Sequence, residues 1–214
     1  MTPTMTNYKR IQGAPVSRDL FKKRITTLQA FLEILDDSSF LALDAEHVPI
    51  TSQADRVLHQ VGLAYIKTLK PENSEMPVRR GHRFGQQRRI NLEDLEPAVI
   101  DFIQNCQSGR NLILVGYGMP AEWIYLSTNF PRAIPLFSAW VDLRDIADDI
   151  VSSVGKIPWL RGLLRMFDYF RFDIEPVNTN AGNGTADNAG DDAVATCALA
   201  HALLLEKNRQ KLRF

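Results

Sequence analysis

Leu43-Asp44-Ala45-Glu46-His47 closes an apolar run that begins at Phe40. Such a run reads as a buried strand, and its side chains alternate, so Asp44 and Glu46 share one face while Ala45 and His47 take the other. Two carboxylates this close repel each other unless a cation lies between them. The pair is therefore a candidate metal site, although the same spacing also suits a strand that leaves the core for solvent. Two more carboxylates, Glu122 and Asp192, stand at the starts of expected helices. Strand ends and helix starts are where a parallel sheet builds its cleft. Each has a second use as well: Glu122 favours the helix dipole and Asp192 suits a cap.

The elements that must position these residues alternate along the chain. Residues 18–36 carry Leu20, Phe21, Ile25, Leu28, Phe31, Leu32 and Leu35 at helical spacing, and Phe40 to Glu46 follows as a strand. A second strand is expected near Leu58 to Leu69, then a long Pro-, Glu- and Arg-rich hairpin connection and a short strand near Arg89 to Leu92. Leu95 to Cys106 reads as helix, Asn111 to Tyr117 as strand, and Pro120 to Thr128 as a helix with proline in its first turn. Trp140 to Leu143 is a further short strand. Helices are expected over 144–151, 158–170 and Asp191 to Leu205, the last after a Gly/Asn/Thr-rich loop at Asn178 to Asn188. This order predicts an α/β fold, a mixed sheet flanked by helices on both faces.

Composition narrows the class. The chain has 214 residues, 45% of them hydrophobic, which predicts one domain with a substantial core. Its 25 basic and 25 acidic side chains cancel, which argues against nonspecific coating of nucleic acid or membrane. No apolar stretch approaches a membrane span, and Met1 to Arg10 lacks the apolar core of a signal peptide, so an intracellular protein, cytoplasmic or nuclear, is expected. Cys106 and Cys197 form no CxxC pair and support neither a disulfide framework nor a zinc site.

Three motifs carry a resemblance. Asp44-x-Glu46 ends the first long strand, and Gln60-Val61-Gly62-Leu63-Ala64 fits the strand after it. Leu114-Val115-Gly116-Tyr117 runs into the helix with Glu122. Asn188-Ala189-Gly190-Asp191-Asp192-Ala193 opens the last long helix. In this order they resemble the DEDD-type (DnaQ-like) 3′–5′ exonucleases of the ribonuclease H-like superfamily, nearest to a mainly fungal branch. The likeness spans roughly residues 38–206. It implies a ribonuclease H-like sheet and a single domain over 18–207, with an N-terminal extension at 1–17 and a basic tail at 208–214.

The resemblance also implies a chemistry. Two divalent ions about 4 Å apart activate a water and neutralise charge on a phosphodiester, and hard oxygen ligands suit magnesium or manganese. Asp44 would bridge both ions, Glu46 and Asp192 would complete the first, and Glu122, where the family usually has Asp, would support the second. RNA or single-stranded DNA is the implied substrate. One departure stands out: the general-base histidine of one subgroup falls at Asp187, and the tyrosine of the other falls at Asn188. An ordinary aspartate is a weak base at neutral pH, and a general base is worth about 10²–10⁴ in rate. A slow enzyme is one expectation. A noncatalytic member of the fold that binds RNA or a protein partner is the other.

Other candidates are less specific. Arg79, Arg80, Arg83, Arg88 and Arg89, with His82 and Phe84, could hold phosphates and stack on a base, or simply form a solvated hairpin. Lys207, Arg209, Lys211 and Arg213 suit a helix C-terminus. The stripe Trp159, Leu160, Leu163, Leu164, Phe167 and Phe170 is expected to pack a helix, and Trp123 and Tyr125 to lie in the core or cleft wall. His47, His59, His82 and His201 offer no evident general base. A Rossmann oxidoreductase is set aside because no glycine-rich phosphate turn follows the first strand.

Overall fold

The computed structural model describes residues 18–49, 56–69, 89–106, 109–151, 157–168 and 189–213. They form an α/β fold around a mixed, mostly parallel five-stranded sheet, compatible with a ribonuclease H-like arrangement. The strands are β1 (Arg24–Ile25), β2 (Ser38–Pro49), β3 (Arg56–Ile66), β4 (Asn111–Gly116) and β5 (Ala139–Asp142), in spatial order β1-β5-β4-β2-β3. Only β3 runs antiparallel to its neighbour, pairing Asp44 with Gly62 and Glu46 with Gln60. The other three pairings are parallel, so β2, β4 and β5 direct their carboxyl ends the same way.

The helices are α1 (Arg18–Phe21), α2 (Leu28–Glu33), α3 (Leu92–Cys106), α4 (Pro120–Asn129), α5 (Leu143–Ile150), α6 (Leu160–Met166), α7 (Ala189–Leu204) and α8 (Glu206–Arg213). They cover both faces. On β4 the alternation is direct: Ile113 and Val115 join Phe31, Ile146, Leu163, Leu199 and Leu203 in one core. Leu112 and Leu114 join Ile103, Trp123, Leu126 and Trp140 in the other. Each strand residue thus feeds the layer its parity dictates.

Three sequence expectations are corrected. Residues 18–36 are not one helix, because Arg24 and Ile25 leave it to pair with Trp140 and Val141, and Thr27 then caps α2 by accepting from the Ala30 N–H. Arg24 reaches Asp145 of α5 through two hydrogen bonds of 2.7 and 2.8 Å, which staples this edge strand to the domain. No strand forms at Arg89 to Leu92. Residues 89–91 are irregular, and α3 starts at Leu92 with Glu93 and Asp94 favourably placed in its first turn. Of the segment expected as helix over 158–170, the described residues 158–168 are helical over Leu160–Met166 alone. In its stripe Leu163, Leu164 and Phe167 are buried as expected, but Trp159 is 71% exposed.

The expected basic tail includes a helix. In α8, Leu212 and Asn208 are buried, and the Asn208 Nδ2 donates to the Ala202 carbonyl. Arg209 donates to the Leu203 and Leu204 carbonyls at the end of α7, where a cation offsets the helix dipole. No helix among the described residues is long and apolar enough to cross a membrane. The N-terminal extension, the connection at 70–88, the loop at 178–188 and Phe170 lie outside the described residues.

One contact decides where the last helix sits. Ala42, Ala64, Ala193 and Cys197 make a small-residue seam between α7 and the sheet. At its end stands Gly62, where a Cβ would overlap the backbone of Ala189 and Gly190. The absent side chain lets the helix start rest on β3, and the Ala189 N–H reaches the Gln60 Oε1 at 3.4 Å. Gly62→Ala should push this start outward and cost about 1–3 kcal/mol, the usual penalty for overpacking. Urea denaturation will measure the loss, and an unchanged midpoint would contradict the close contact.

Candidate metal centre

Asp44 and Glu46 lie on the β2 face that turns toward α7, in phase with Ala42 of the small-residue seam. Asp192 stands in the first turn of α7, which the Gly62 contact brings down onto the sheet. One carboxylate oxygen from each of Asp44, Glu46 and Asp192 falls within 4.8 Å of the others. Glu122 comes from the opposite helical layer, in the first turn of α4 just beyond β4. It lies outside that close triad, yet it lines the same cleft as Asp44 and Asp192. The cleft has a volume of about 420 Å³, with Gly116, Tyr117, Trp159 and Arg161 also in its wall.

Burial governs the electrostatics. It lifts Glu122 to about 7, its own backbone hydrogen bond opposes this, and the charges of Asp142 and Glu46 add to the rise. The Glu122 Oε2 is buried and has no hydrogen-bond partner among the described residues. A buried carboxylate oxygen without a donor is costly, and a divalent cation would satisfy it. The donor set is entirely carboxylate, the hard oxygen chemistry that magnesium and manganese take. The residues therefore fit such ions.

Three neighbours of the site, Arg161, Tyr117 and Asp142, are not among the sequence candidates. Arg161 of α6 donates to the Asp192 Oδ1 at 2.8 Å and is the one cation in the cleft wall among the described residues. Tyr117 donates to the Pro158 carbonyl, tying the end of β4 to the segment before α6. Burial holds the Tyr117 hydroxyl well above the ordinary phenol range, so it stays a donor. Asp142 is buried at the end of β5 and accepts from the Gly118, Met119 and Arg144 N–H groups at 2.8, 2.9 and 3.0 Å. It caps α5 and also holds the turn that launches α4, hence the position of Glu122. An aspartate between a short apolar strand and a helical pattern is a cap signature that could have marked it.

The remaining sequence candidates divide as follows. Arg89 is exposed and does not line the cleft. Arg79, Arg80, Arg83, Arg88, His82 and Asp187 lie outside the described residues, as do the side chains of His47 and His59. His201 is buried in α7, and burial lowers its pKa, which favours the neutral ring. Trp123 is core, fully buried against Trp140 at a ring separation of 5.1 Å. No known protein family, curated protein or solved structure matches the chain.

Three outcomes follow from this geometry. Asp142→Ala leaves three backbone N–H groups without their acceptor and should destabilise the fold by about 2–4 kcal/mol, while Asp142→Asn, which keeps one acceptor oxygen, should lose less. Urea titration of both variants checks the ranking. The second concerns pH in the presence of chelator. Folded Glu122 keeps its proton up to about 7, whereas the unfolded chain releases it near 4.5, so this group's contribution falls as pH rises through that window. Glu122→Gln should therefore be more stable than wild type at pH 8, with the gap closing below the lower limit. Manganese at pH 8 should raise the wild-type melting temperature but not that of Asp44→Asn. A pH-independent gap between wild type and Glu122→Gln would contradict the shift.

Proposed function

We propose that this protein is a metal-dependent 3′–5′ exonuclease-like hydrolase acting on RNA or single-stranded DNA. The supporting observation is the convergence of Asp44, Glu46 and Asp192 within 4.8 Å, with Glu122 in the same cleft. The Asp44–Glu46 pair, Glu122 and Asp192 are remote from one another in sequence, and they come from the three motifs that resemble the DEDD exonucleases. Asp44, Glu46, Asp192 and Glu122 would hold one or two magnesium or manganese ions. When bound, such ions polarise the phosphodiester and lower the pKa of an attacking water.

The chain's own groups supply the rest. Asp142 and the turn it holds keep Glu122 aimed into the cleft. Tyr117 fixes the Pro158 segment, and Arg161 brings a positive charge to the carboxylate side, where a substrate phosphate would need one. Asp187 stands where one family subgroup has its general base, which predicts slow turnover. The two free thiols, Cys106 and Cys197, suit a reducing compartment, and we place the protein in the cytoplasm or nucleus.

The Arg161–Asp192 ion pair favours a second reading, in which the cleft binds an RNA or protein partner without hydrolysis because a guanidinium already balances one ligand. End-labelled RNA and single-stranded DNA, incubated with magnesium or manganese, separate the two. Hydrolysis should shorten the label stepwise from the 3′ end, and Asp44→Ala with Glu46→Ala should reduce the rate at least about 10²-fold. Equal degradation by wild type and the double variant would assign the activity to a contaminant and sink the exonuclease reading. Binding without shortening would select the second.

A further inference from the structure

Trp159 breaks the rule that governs its neighbours. Trp123 and Trp140 are fully buried, and Leu163 and Leu164 on the adjoining helix are buried too, while Trp159 is 71% exposed. Tryptophan is highly buried on average, so this exposure is unusual for its type. This one stands in the wall of the carboxylate cleft, together with Arg161. On a regular helix, residues two apart point away from each other. Trp159 precedes the first turn of α6 with an extended backbone, φ −64° and ψ 162°, and that geometry lets both side chains reach one cleft.

The platform is held firmly. The Tyr117 hydroxyl donates to the Pro158 carbonyl, and the Leu163 N–H donates to the Trp159 carbonyl at 3.0 Å. Leu163 and Leu164 anchor α6 in the same core as Leu199 and Leu203. A flat apolar surface and a guanidinium therefore stand in fixed relation beside the acidic cluster. Together they match a ligand with a planar ring, an anionic group and a bond to be placed against a cation. That is a nucleotide. The cleft volume of about 420 Å³ lies in the range of small-molecule sites.

Resting on the phosphodiesterase reading above, we propose that Trp159 and Arg161 hold the terminal nucleotide of a single strand: the indole stacks on its base and the guanidinium pairs with a phosphate. Stacking accepts any base, since each offers a π face, so this wall selects an unpaired end and not a sequence. Arg161 changes partner in doing so, giving up Asp192 for the substrate phosphate.

Tryptophan fluorescence reads this contact directly, because Trp159 is the exposed member of the chain's three tryptophans. The full-length protein is titrated, in calcium to balance the carboxylates, with a thymidine oligonucleotide and with the same strand abasic at its 3′ end. The normal strand should quench the emission and bind more tightly than the abasic one. Trp159→Ala, followed by anisotropy of a 5′-labelled strand, should weaken the normal strand roughly 5- to 150-fold, the range that base stacking carries, and abolish the preference over the abasic strand. Arg161→Gln should weaken both strands alike and flatten their salt dependence. The manganese-induced rise in melting temperature should survive in Trp159→Ala, which separates this contact from the metal site. Persisting discrimination in Trp159→Ala would overturn the proposal and leave the hydrolysis result untouched. Discrimination lost in Trp159→Ala by a protein that never hydrolyses would support it and remove the exonuclease reading.

Discussion

The seating of α7 against β2 and β3 is the contact on which the cleft depends. Helices normally stand off a sheet by the length of their side chains; here Ala42, Ala64, Ala193 and Cys197 shorten that distance, and Gly62 removes it where Ala189 touches β3. Asp192 is three residues into the helix, so its position follows from the contact. The same approach forces three carboxylates within 4.8 Å. Carboxylates packed this close favour a cation between them, and the Arg161 guanidinium already pairs with Asp192.

The sheet contributes by dividing the work between its faces. Asp44, Glu46 and Asp192 belong to the α7 layer, while Glu122 belongs to the α4 layer. They meet beyond the carboxyl end of β4, past Ala42–Val115, the last pair of β2 with β4, where that strand no longer separates the layers. Asp142, at the matching end of β5, secures the meeting by accepting from the turn before α4 and from the start of α5. An acidic residue outside the cleft wall thereby controls one inside it. Trp159 and Arg161 in the cleft wall supply what the carboxylates lack: an apolar plane and a positive charge.

Local patterns were legible where one physical demand acted along the whole segment. The runs at Phe40 and Leu112 feed both helical layers and so are apolar at every position, the pattern of buried strands. Residues 18–36 misled because two demands share one stretch. Leu20 and Phe21 enter one core and Phe31 and Leu35 the other, yet together their spacing imitates a single amphipathic helix. Arg24 and Ile25 become a strand only because β5 offers an edge to pair with. At Arg89 to Leu92 the reverse holds, since these residues pair with no strand among the described residues and the acidic turn after them favours helix.

By itself the sequence determined the parity that puts Asp44 and Glu46 on one face, the first-turn placement of Glu122 and Asp192, and the glycine that later proves to be a contact point. Those are properties of a few consecutive residues under the strand and helix periods. Tertiary structure alone decided that Asp192 reaches the β2 pair, that Arg161 answers its charge, and that Trp159 faces the cleft and not the core. Such distances join residues far apart in the chain, and they are set by how closely one helix can pack on a sheet, a quantity that no local spacing contains.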